Sequence, residues 1–161
     1  MVLGYDEKLK TLQVLLIKRS KYPYEGAWAL PGGFVDMNET AEKCVLRELK
    51  EETGLKDVKF EQLFTASKVD RDPRGRTISV IFWALIKTNY QVKGSDDATE
   101  AKWFDVLKLP VLAFDHKKII KYAISQLKFR LKAKKYFKDF FTNINSDEVF
   151  DNLKIVIKNY K

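Results

Sequence analysis

Three glutamates near the end of one predicted helix are the residues whose spacing best suits chemistry. Residues 40–52 lack Gly and Pro, their apolar side chains recur every four positions, and Gly54 follows where a left-handed C-cap would end a helix. Glu48, Glu51 and Glu52 then share one face of the last turns. There, like charges and the helix dipole disfavour each carboxylate by about 0.3 to 1 kcal/mol. Helix stability therefore does not explain the three acids.

A bound divalent cation would explain the acids, because hard carboxylate oxygens that share Mg²⁺ are held together by the ion. The alternative is a solvated acidic face, partly screened by Arg47 and Lys50, and charge alone favours that alternative. Pro31 and the two glycines after it precede the helix, and they would let the backbone approach a ligand closely in either case.

The exact spacing favours the cation. Gly33 is followed after five residues by Glu39, and after seven more by RELKEETGL at residues 47–55. These residues match every defined position of the Nudix box, G-x5-E-x7-R-E-U-x-E-E-x-G-U, in which U is aliphatic. The chain therefore resembles the Nudix hydrolase family, and the preceding WALPG also looks like the family's lead-in.

The resemblance implies an α/β fold, with a mixed sheet in an α/β/α sandwich, and hydrolysis of a nucleoside diphosphate linked to another moiety. It implies Mg²⁺ or Mn²⁺, which would neutralise the phosphates and activate water. The implied metal ligands are Glu48, Glu51, Glu52 and the carbonyl of Gly32. The implied catalytic residues are Glu52, Glu51 and Arg47, with Arg47 orienting a glutamate and Glu39 supporting the ligands from outside.

The base that activates water is left open between Glu52 and three acids in the polar segment GSDDATE. Those acids are Asp96, Asp97 and Glu100. A carboxylate near metal-bound water could take its proton, although solvation is the commoner reason for acids in such a segment.

Basic and aromatic groups near the box are candidates for substrate binding. Arginine forks match phosphate oxygens, and three arginines cluster in the loop DRDPRGR, with a fourth at the end of the first predicted strand. They are Arg19, Arg71, Arg74 and Arg76. The alternative is a solvated loop balanced by Asp70 and Asp72. Trp28 and Phe34 flank the glycine turn and are candidates for stacking on a base, although aromatic residues beside strands are more often core.

Three further segments narrow the resemblance to one branch of the family. DRDPRGRTISVIF, DDATEAKWF and LAFDH look like the ADP-ribose pyrophosphatases and related regulators of NAD metabolism, over residues 2–131. This implies hydrolysis of ADP-ribose to AMP and ribose 5-phosphate, by a homodimer. His116 in LAFDH is interpreted as structural, since no nucleophile or metal cluster accompanies it.

Two other functions remain as alternatives. One is a transcription regulator that senses ADP-ribose and binds DNA through a C-terminal winged helix. The other is a hydrolase of oxidised or unusual nucleoside triphosphates, which would not call for DRDPRGR. The complete set of box acids favours an enzyme, as does a tail after Leu131 that is short for a winged helix.

Composition predicts one catalytic domain at residues 1–131 and a basic helical extension at 132–161. The net charge of +8 lies wholly after Leu107, where 13 Lys and Arg face 5 Asp and Glu. Charge alone would bind nucleic acid weakly and without sequence preference, so specific binding is not expected. A single cysteine and the lack of a long apolar run predict a cytoplasmic protein with no membrane partner.

Apolar periodicity predicts the remaining elements. Strands are expected at residues 11–19, 58–69, 77–87 and 101–106. A helix capped by Asp115 should bury Ile120, Ile124, Leu127 and Leu131 against the sheet. A last helix is expected from Asp147 to Asn159, capped by Ser146.

Overall fold

The chain folds around one mixed sheet. A computed structural model describes residues 1–88, 92–94, 98–133, 135, 137, 140, 144 and 147–160. Its described strands are β1 Val2–Asp6, β2 Thr11–Arg19, β3 Trp28–Ala29, β4 Glu61–Ala66, β5 Ser79–Lys87 and β6 Ala98–Asp105. Its described helices are α1 Ala41–Thr53, α2 His116–Lys132 and α3 Asp147–Asn159.

The strand order is β3-β2-β1-β5-β4, and β6 pairs with β2 as well. β1 runs antiparallel to β2, with Leu3 opposite Val14, and parallel to β5, with Leu3 opposite Leu85. The sheet is therefore mixed, as predicted.

Helices cover both faces of this sheet. Because side chains alternate along a strand, neighbouring residues enter different cores. The core under α2 and α3 receives Leu3, Tyr5, Leu12, Val14, Leu16, Trp83 and Leu85. The core that contains Leu49 of α1 receives Val2, Leu15, Ile17, Ala84 and Ile86. The predicted α/β/α sandwich is confirmed.

Local capping sets the bounds of α1. The Thr40 hydroxyl accepts the backbone N–H of Lys43 at 3.4 Å, and Gly54, at φ 74°, donates its N–H to the Lys50 carbonyl at 2.9 Å. The helix predicted over residues 40–52 is confirmed, with Thr40 as its N-cap and with Gly54 as the predicted C-cap.

Other predicted bounds were less accurate. β6 begins at Ala98 rather than at residue 101, because Ala98 and Glu100 pair with the end of β2 despite their polar surroundings. β4 is shorter than residues 58–69, since Val58 is buried in the core beside α1 and Val69 lies in a turn. β1 and β3 were not predicted.

The two C-terminal helices follow the predicted pattern. The stripe Ile120, Ile124, Leu127 and Leu131 of α2 is buried as predicted. Asp115 is the N-cap residue, as predicted, but its side chain makes no capping hydrogen bond. α3 has the predicted bounds, and Ser146 lies outside the described residues.

The apolar side of α3 joins the main core. Its buried residues Val149, Phe150, Leu153 and Ile157 belong to the same cluster as the sheet residues under α2. The boundary predicted at residue 131 stays a prediction. No helix in the described part of the chain has the length and apolar character needed to cross a membrane.

Candidate active site

The glycine turn lies directly against the end of α1. Glu52 is only 7% exposed, and its Oε2 accepts the backbone N–H of Gly32 at 2.9 Å. Gly32 has φ 148°, a conformation that few other residues adopt, so the turn that presents this N–H depends on glycine. Two residues 20 positions apart are thereby joined, and both are predicted metal ligands.

Gly33 leaves space for a second carboxylate. A Cβ atom at this position would overlap the side-chain oxygens and Cδ of Glu48. The Glu48 side chain is 15% exposed, and burial raises the pKa of its carboxyl above the ordinary value. A cation beside Glu48 would favour its charged form.

Replacing Gly33 with Ala should therefore displace Glu48. We expect kcat to fall about tenfold or more, the size of effect seen when support of a metal ligand is lost. Met37→Ala is the control, because Met37 is 98% exposed on the same loop. The control should keep native kcat, and native kcat in Gly33→Ala would show that Glu48 does not need this space.

Arg47 forms hydrogen bonds with three of the box glutamates. Its guanidinium donates to Glu39 at 2.6 and 3.1 Å, to Glu48 at 2.8 Å and to Glu51 at 3.0 Å. It also donates to the Phe34 carbonyl at 3.2 Å. These bonds to Arg47 lower the pKa of Glu39 to about 2. Arg47 thus holds carboxylates that would otherwise repel one another.

The donor set fits a hard divalent cation in its chemistry. Carboxylate oxygens and a backbone carbonyl are the ligands that Mg²⁺ prefers, and the missing side chain at Gly33 leaves room for one of those carboxylates. As the side chains lie, no three acidic, His or Cys groups among the described residues converge as a ready ligand cluster. Arg47 occupies Glu48 and Glu51 instead.

The predicted arginines of the loop at residues 70–76 differ in their surroundings. The side chain of Arg71 is only 6% exposed, donates to both carboxylate oxygens of Asp115 at 2.8 and 3.1 Å, and donates to the Ser79 hydroxyl. It ties the loop to the start of α2. Arg74 is half-exposed and pairs with Asp72. Arg76 donates to the backbone carbonyls of Ser67 at 2.9 Å and Lys68 at 3.4 Å, which lie between β4 and the loop.

The other three residues predicted to contact the substrate also differ in their exposure and partners. Phe34 is 68% exposed beside the glycine turn. Trp28 is half-buried and meets Phe104 edge to face at 4.6 Å, so it packs on the core. Arg19 donates to the carbonyl of Pro23 at 2.8 Å, and its guanidinium lies 5.0 Å from the Phe114 ring centroid.

Only one candidate base outside the box falls within the described residues. Glu100 lies on β6 and forms ion pairs with Lys102 and, at 3.0 Å, with Lys18. The two lysines, Lys102 first, lower the pKa of its carboxyl, which weakens it as a base. Asp96 and Asp97 lie outside the described residues.

The residues that lead into α2 have contacts that the sequence did not predict. Asp115 holds Arg71, and Nδ1 of His116 accepts the backbone N–H of Leu30 at 2.9 Å. His116 thereby fixes the chain just before the glycine turn, which is a structural role. The only signal in the sequence was a lone histidine after an aspartate, which names no partner.

The buried His116 ring predicts a loss of stability in acid. Burial lowers its pKa from 6.5 to about 4, so the unfolded chain binds this proton more readily than the folded chain. The neutral His116 ring therefore contributes its whole share to the free energy of unfolding above pH 6.5, and this share decreases as the pH falls toward 4. Urea unfolding across this range should show a smaller loss for His116→Asn, whose side-chain oxygen can still accept the Leu30 N–H. An identical loss in both proteins would contradict the assignment.

Comparison with known proteins identifies the same family as the box motif. Residues 1–125 match the NUDIX domain. The ADP-ribose pyrophosphatase of Methanocaldococcus jannaschii is 52% identical over 112 residues, which are 70% of this chain and 66% of that protein. The ADPR responsive transcriptional repressor NtrR of Acinetobacter baylyi is 38% identical over 121 residues, 72% of this chain and 48% of the repressor.

A solved structure shows the same fold. The MutT/nudix family protein from Enterococcus faecalis superposes with a TM-score of 0.73 at 32% identity, over 99% of this chain and 78% of that one. The chain spans about half to two thirds of the length of the two curated relatives. With the box residues gathered around Arg47 and a domain match over most of its length, the chain belongs to the NUDIX domain family.

Proposed function

We propose that this protein hydrolyses ADP-ribose to AMP and ribose 5-phosphate with Mg²⁺ or Mn²⁺. The observation that carries the proposal is the contact of Glu52 with the Gly32 N–H, which sets the acidic face of α1 against the glycine turn. The similarity to an ADP-ribose pyrophosphatase supports the choice of substrate.

The cation would be held by Glu48, Glu51, Glu52 and the Gly32 carbonyl. It would supply charge to neutralise the phosphates and would make bound water more acidic. Glu51 is the most open of the three glutamates, with 42% of its side chain exposed. Glu52, already fixed by its bond to the turn, is our choice for the group that takes the proton from water.

Arg47 has the positioning role. It neutralises the acids and fixes their side chains through a planar fork, which a lysine cannot reproduce. Glu39 in turn receives two bonds from Arg47 and one from the Asp36 N–H, so it anchors the arginine. These contacts keep the ligand side chains near one another before substrate arrives.

Arg74 and Arg76 would hold the diphosphate or the terminal ribose phosphate. Single Ala variants should raise KM for ADP-ribose severalfold, since a hydrogen bond to a charged group contributes about 1.5 to 3 kcal/mol and both side chains are partly solvated. The control is Lys59→Ala, which removes an exposed charge elsewhere. An unchanged KM in both variants would show that this loop is a solvated surface loop that does not bind the substrate.

A regulator that senses ADP-ribose is the second candidate, favoured by the similarity to the repressor. Against it, α3 buries its apolar side in the main core instead of forming a separate module. We therefore expect at most weak, salt-sensitive DNA binding from the basic C-terminal segment.

The test is a substrate screen with the full chain. Nucleoside diphosphate derivatives and oxidised nucleoside triphosphates would each be incubated with Mg²⁺ or Mn²⁺, and products separated by chromatography. ADP-ribose should give the highest kcat/KM. A preference for oxidised triphosphates would contradict the proposed substrate.

Two further features are proposed with the function. A homodimer is expected from the family resemblance, and sedimentation velocity would measure it. A cytoplasmic location is supported by Cys44, which is a buried free thiol rather than part of a disulfide.

A further inference from the structure

The solvent side of α2 is rich in lysine and has no acid. No Asp or Glu occurs in α2, and each of its lysines is exposed. These are Lys117, Lys118, Lys121, Lys128 and Lys132. Within the described residues, none of the five takes part in an ion pair. Asp115, the acid just before the helix, is already paired with Arg71. This side of α2 is therefore strongly basic.

Two aromatic side chains lie beside these lysines. Tyr122 is 42% exposed and Phe129 is 57% exposed. Because an α-helix turns through about 100° per residue, the lysines and both rings lie within about 140° of the helix surface. Tyr122 and Phe129 are on the same edge of this surface, about 10 Å from each other along the helix axis. We call the five lysines and the two rings the basic face of α2.

Neighbouring side chains hold the two rings in place. Tyr122 meets Phe64 of β4 edge to face, with centroids 4.8 Å apart, and Phe129 meets Phe137 at 6.1 Å. Much of each ring still remains exposed. The opposite side of α2 is buried in the main core, which fixes the helix on the sheet. The spacing of the rings along the basic face is therefore set before a ligand arrives.

The chemistry of the basic face favours one kind of polyanion. A membrane would need the apolar side of α2, because interfacial helices insert that side, and here it is buried in the core. A nucleic acid duplex keeps its bases stacked inside, so it could contact the lysines but not the rings. A single strand offers phosphates to the lysines and unstacked bases to the rings. Its combination of charge and flat apolar groups therefore matches the basic face.

We propose that the basic face of α2 binds single-stranded nucleic acid without sequence preference. The lysines contact phosphates, and bases stack on Tyr122 and Phe129. The acidic helix α1 packs on the other side of the sheet, so binding here does not use the predicted cation ligands. This inference goes beyond the proposed hydrolysis and does not depend on it.

The test measures binding of the full chain to a fluorescein-labelled oligothymidylate of about 12 nucleotides, a length within the range that one single-strand-binding module covers. Fluorescence anisotropy would be recorded at several salt concentrations. One variant, Lys121→Gln with Lys128→Gln, removes two charges of the basic face. The matched control, Lys56→Gln with Lys59→Gln, removes two exposed lysines beside α1.

A second pair of variants tests the rings. Tyr122→Ala with Phe129→Ala removes both rings, whereas Tyr122→Phe with Phe129→Tyr keeps them. Circular dichroism should show native helix content in every variant. If the variant without rings loses helix content, the native chain still tests stacking, through its affinities for oligothymidylate and for inorganic polyphosphate, which has no bases.

The native chain should bind the oligothymidylate with a dissociation constant between about 1 and 100 μM, the range of non-specific binding. Loss of two lysines should reduce the steepness of log affinity against log salt concentration by about 1.4, since each phosphate contact in a single strand contributes about 0.7. Loss of both rings should weaken binding about 5-fold or more and leave this steepness unchanged. The variant that keeps the rings and the control should bind as the native chain does.

Three results would overturn the proposal. The first is a native chain that does not bind, or native binding by both the lysine variant and the variant without rings. The second is equal affinity for a duplex of the same length or for inorganic polyphosphate, because neither offers free bases. The third is binding to phosphatidylglycerol vesicles but not to the oligothymidylate, which would assign the basic face to a membrane surface.

Discussion

Replacing Glu52 with Gln is expected to lower kcat for ADP-ribose by at least about 100-fold, the scale of losing a catalytic acid–base or electrostatic group. The Glu52 carboxylate is buried against the Gly32 N–H, and the amide oxygen of Gln can still accept that bond. The fold should therefore survive. What is lost is the charge that would hold a cation and the site that would accept a proton.

The matched control is Glu42→Gln. Glu42 is an exposed acid in the first turn of the same helix, so its replacement removes one charge far from the glycine turn. We expect nearly native kcat for this control. A Glu52→Gln variant that works at the native rate would show that this carboxylate is not part of the catalytic site.

The second large effect is expected from Arg47→Lys. A lysine keeps the charge but cannot form the fork that joins Glu39, Glu48 and Glu51. Since partners that orient metal ligands contribute about 10- to 100-fold to activity, we expect kcat to fall by that factor. The variant should also be less stable, because Glu39 and Glu48 are mostly buried acids that lose part of their compensation.

Cation titrations separate positioning from a general loss of folding. In Arg47→Lys, the Mg²⁺ concentration that gives half-maximal rate should rise, while circular dichroism shows the native helix content. Lys50→Gln, an exposed cation on the same helix, should leave both unchanged. If the Arg47→Lys enzyme kept the native kcat and the native Mg²⁺ dependence, Arg47 would not be needed to position the metal ligands.

Local signals account for the parts of the fold that were predicted well. α1 has a hydroxyl cap at Thr40 and a glycine at position 54, and β2 is built around the apolar run at residues 14–17, so nearby residues are enough to predict both elements. β3 has only two residues and depends on its pairing with β2, where Ala29 lies opposite Ile17. The start of β6 depends on the same neighbour. Pairing between distant segments leaves little local signal.

The site residues also fall into those that local spacing predicts and those that only tertiary contacts reveal. The three glutamates of α1 and Arg47 were found because helical spacing places them together. Sequence could not show that Arg71 pairs with Asp115, 44 residues away, or that Phe114 lies against Arg74. Three arginines in one loop looked equivalent, and only tertiary contacts separate Arg71, whose side chain is only 6% exposed, from the half-exposed Arg74.

We propose above all that the acidic face of α1 makes this chain a cation-dependent pyrophosphatase. The most direct test is a time course of ADP-ribose with the full chain, with and without Mg²⁺ or Mn²⁺, followed by chromatography. We predict AMP and ribose 5-phosphate in equal amounts, formed only when a cation is present. ADP-ribose that remains intact with both cations, or that is bound without being cleaved, would contradict the claim.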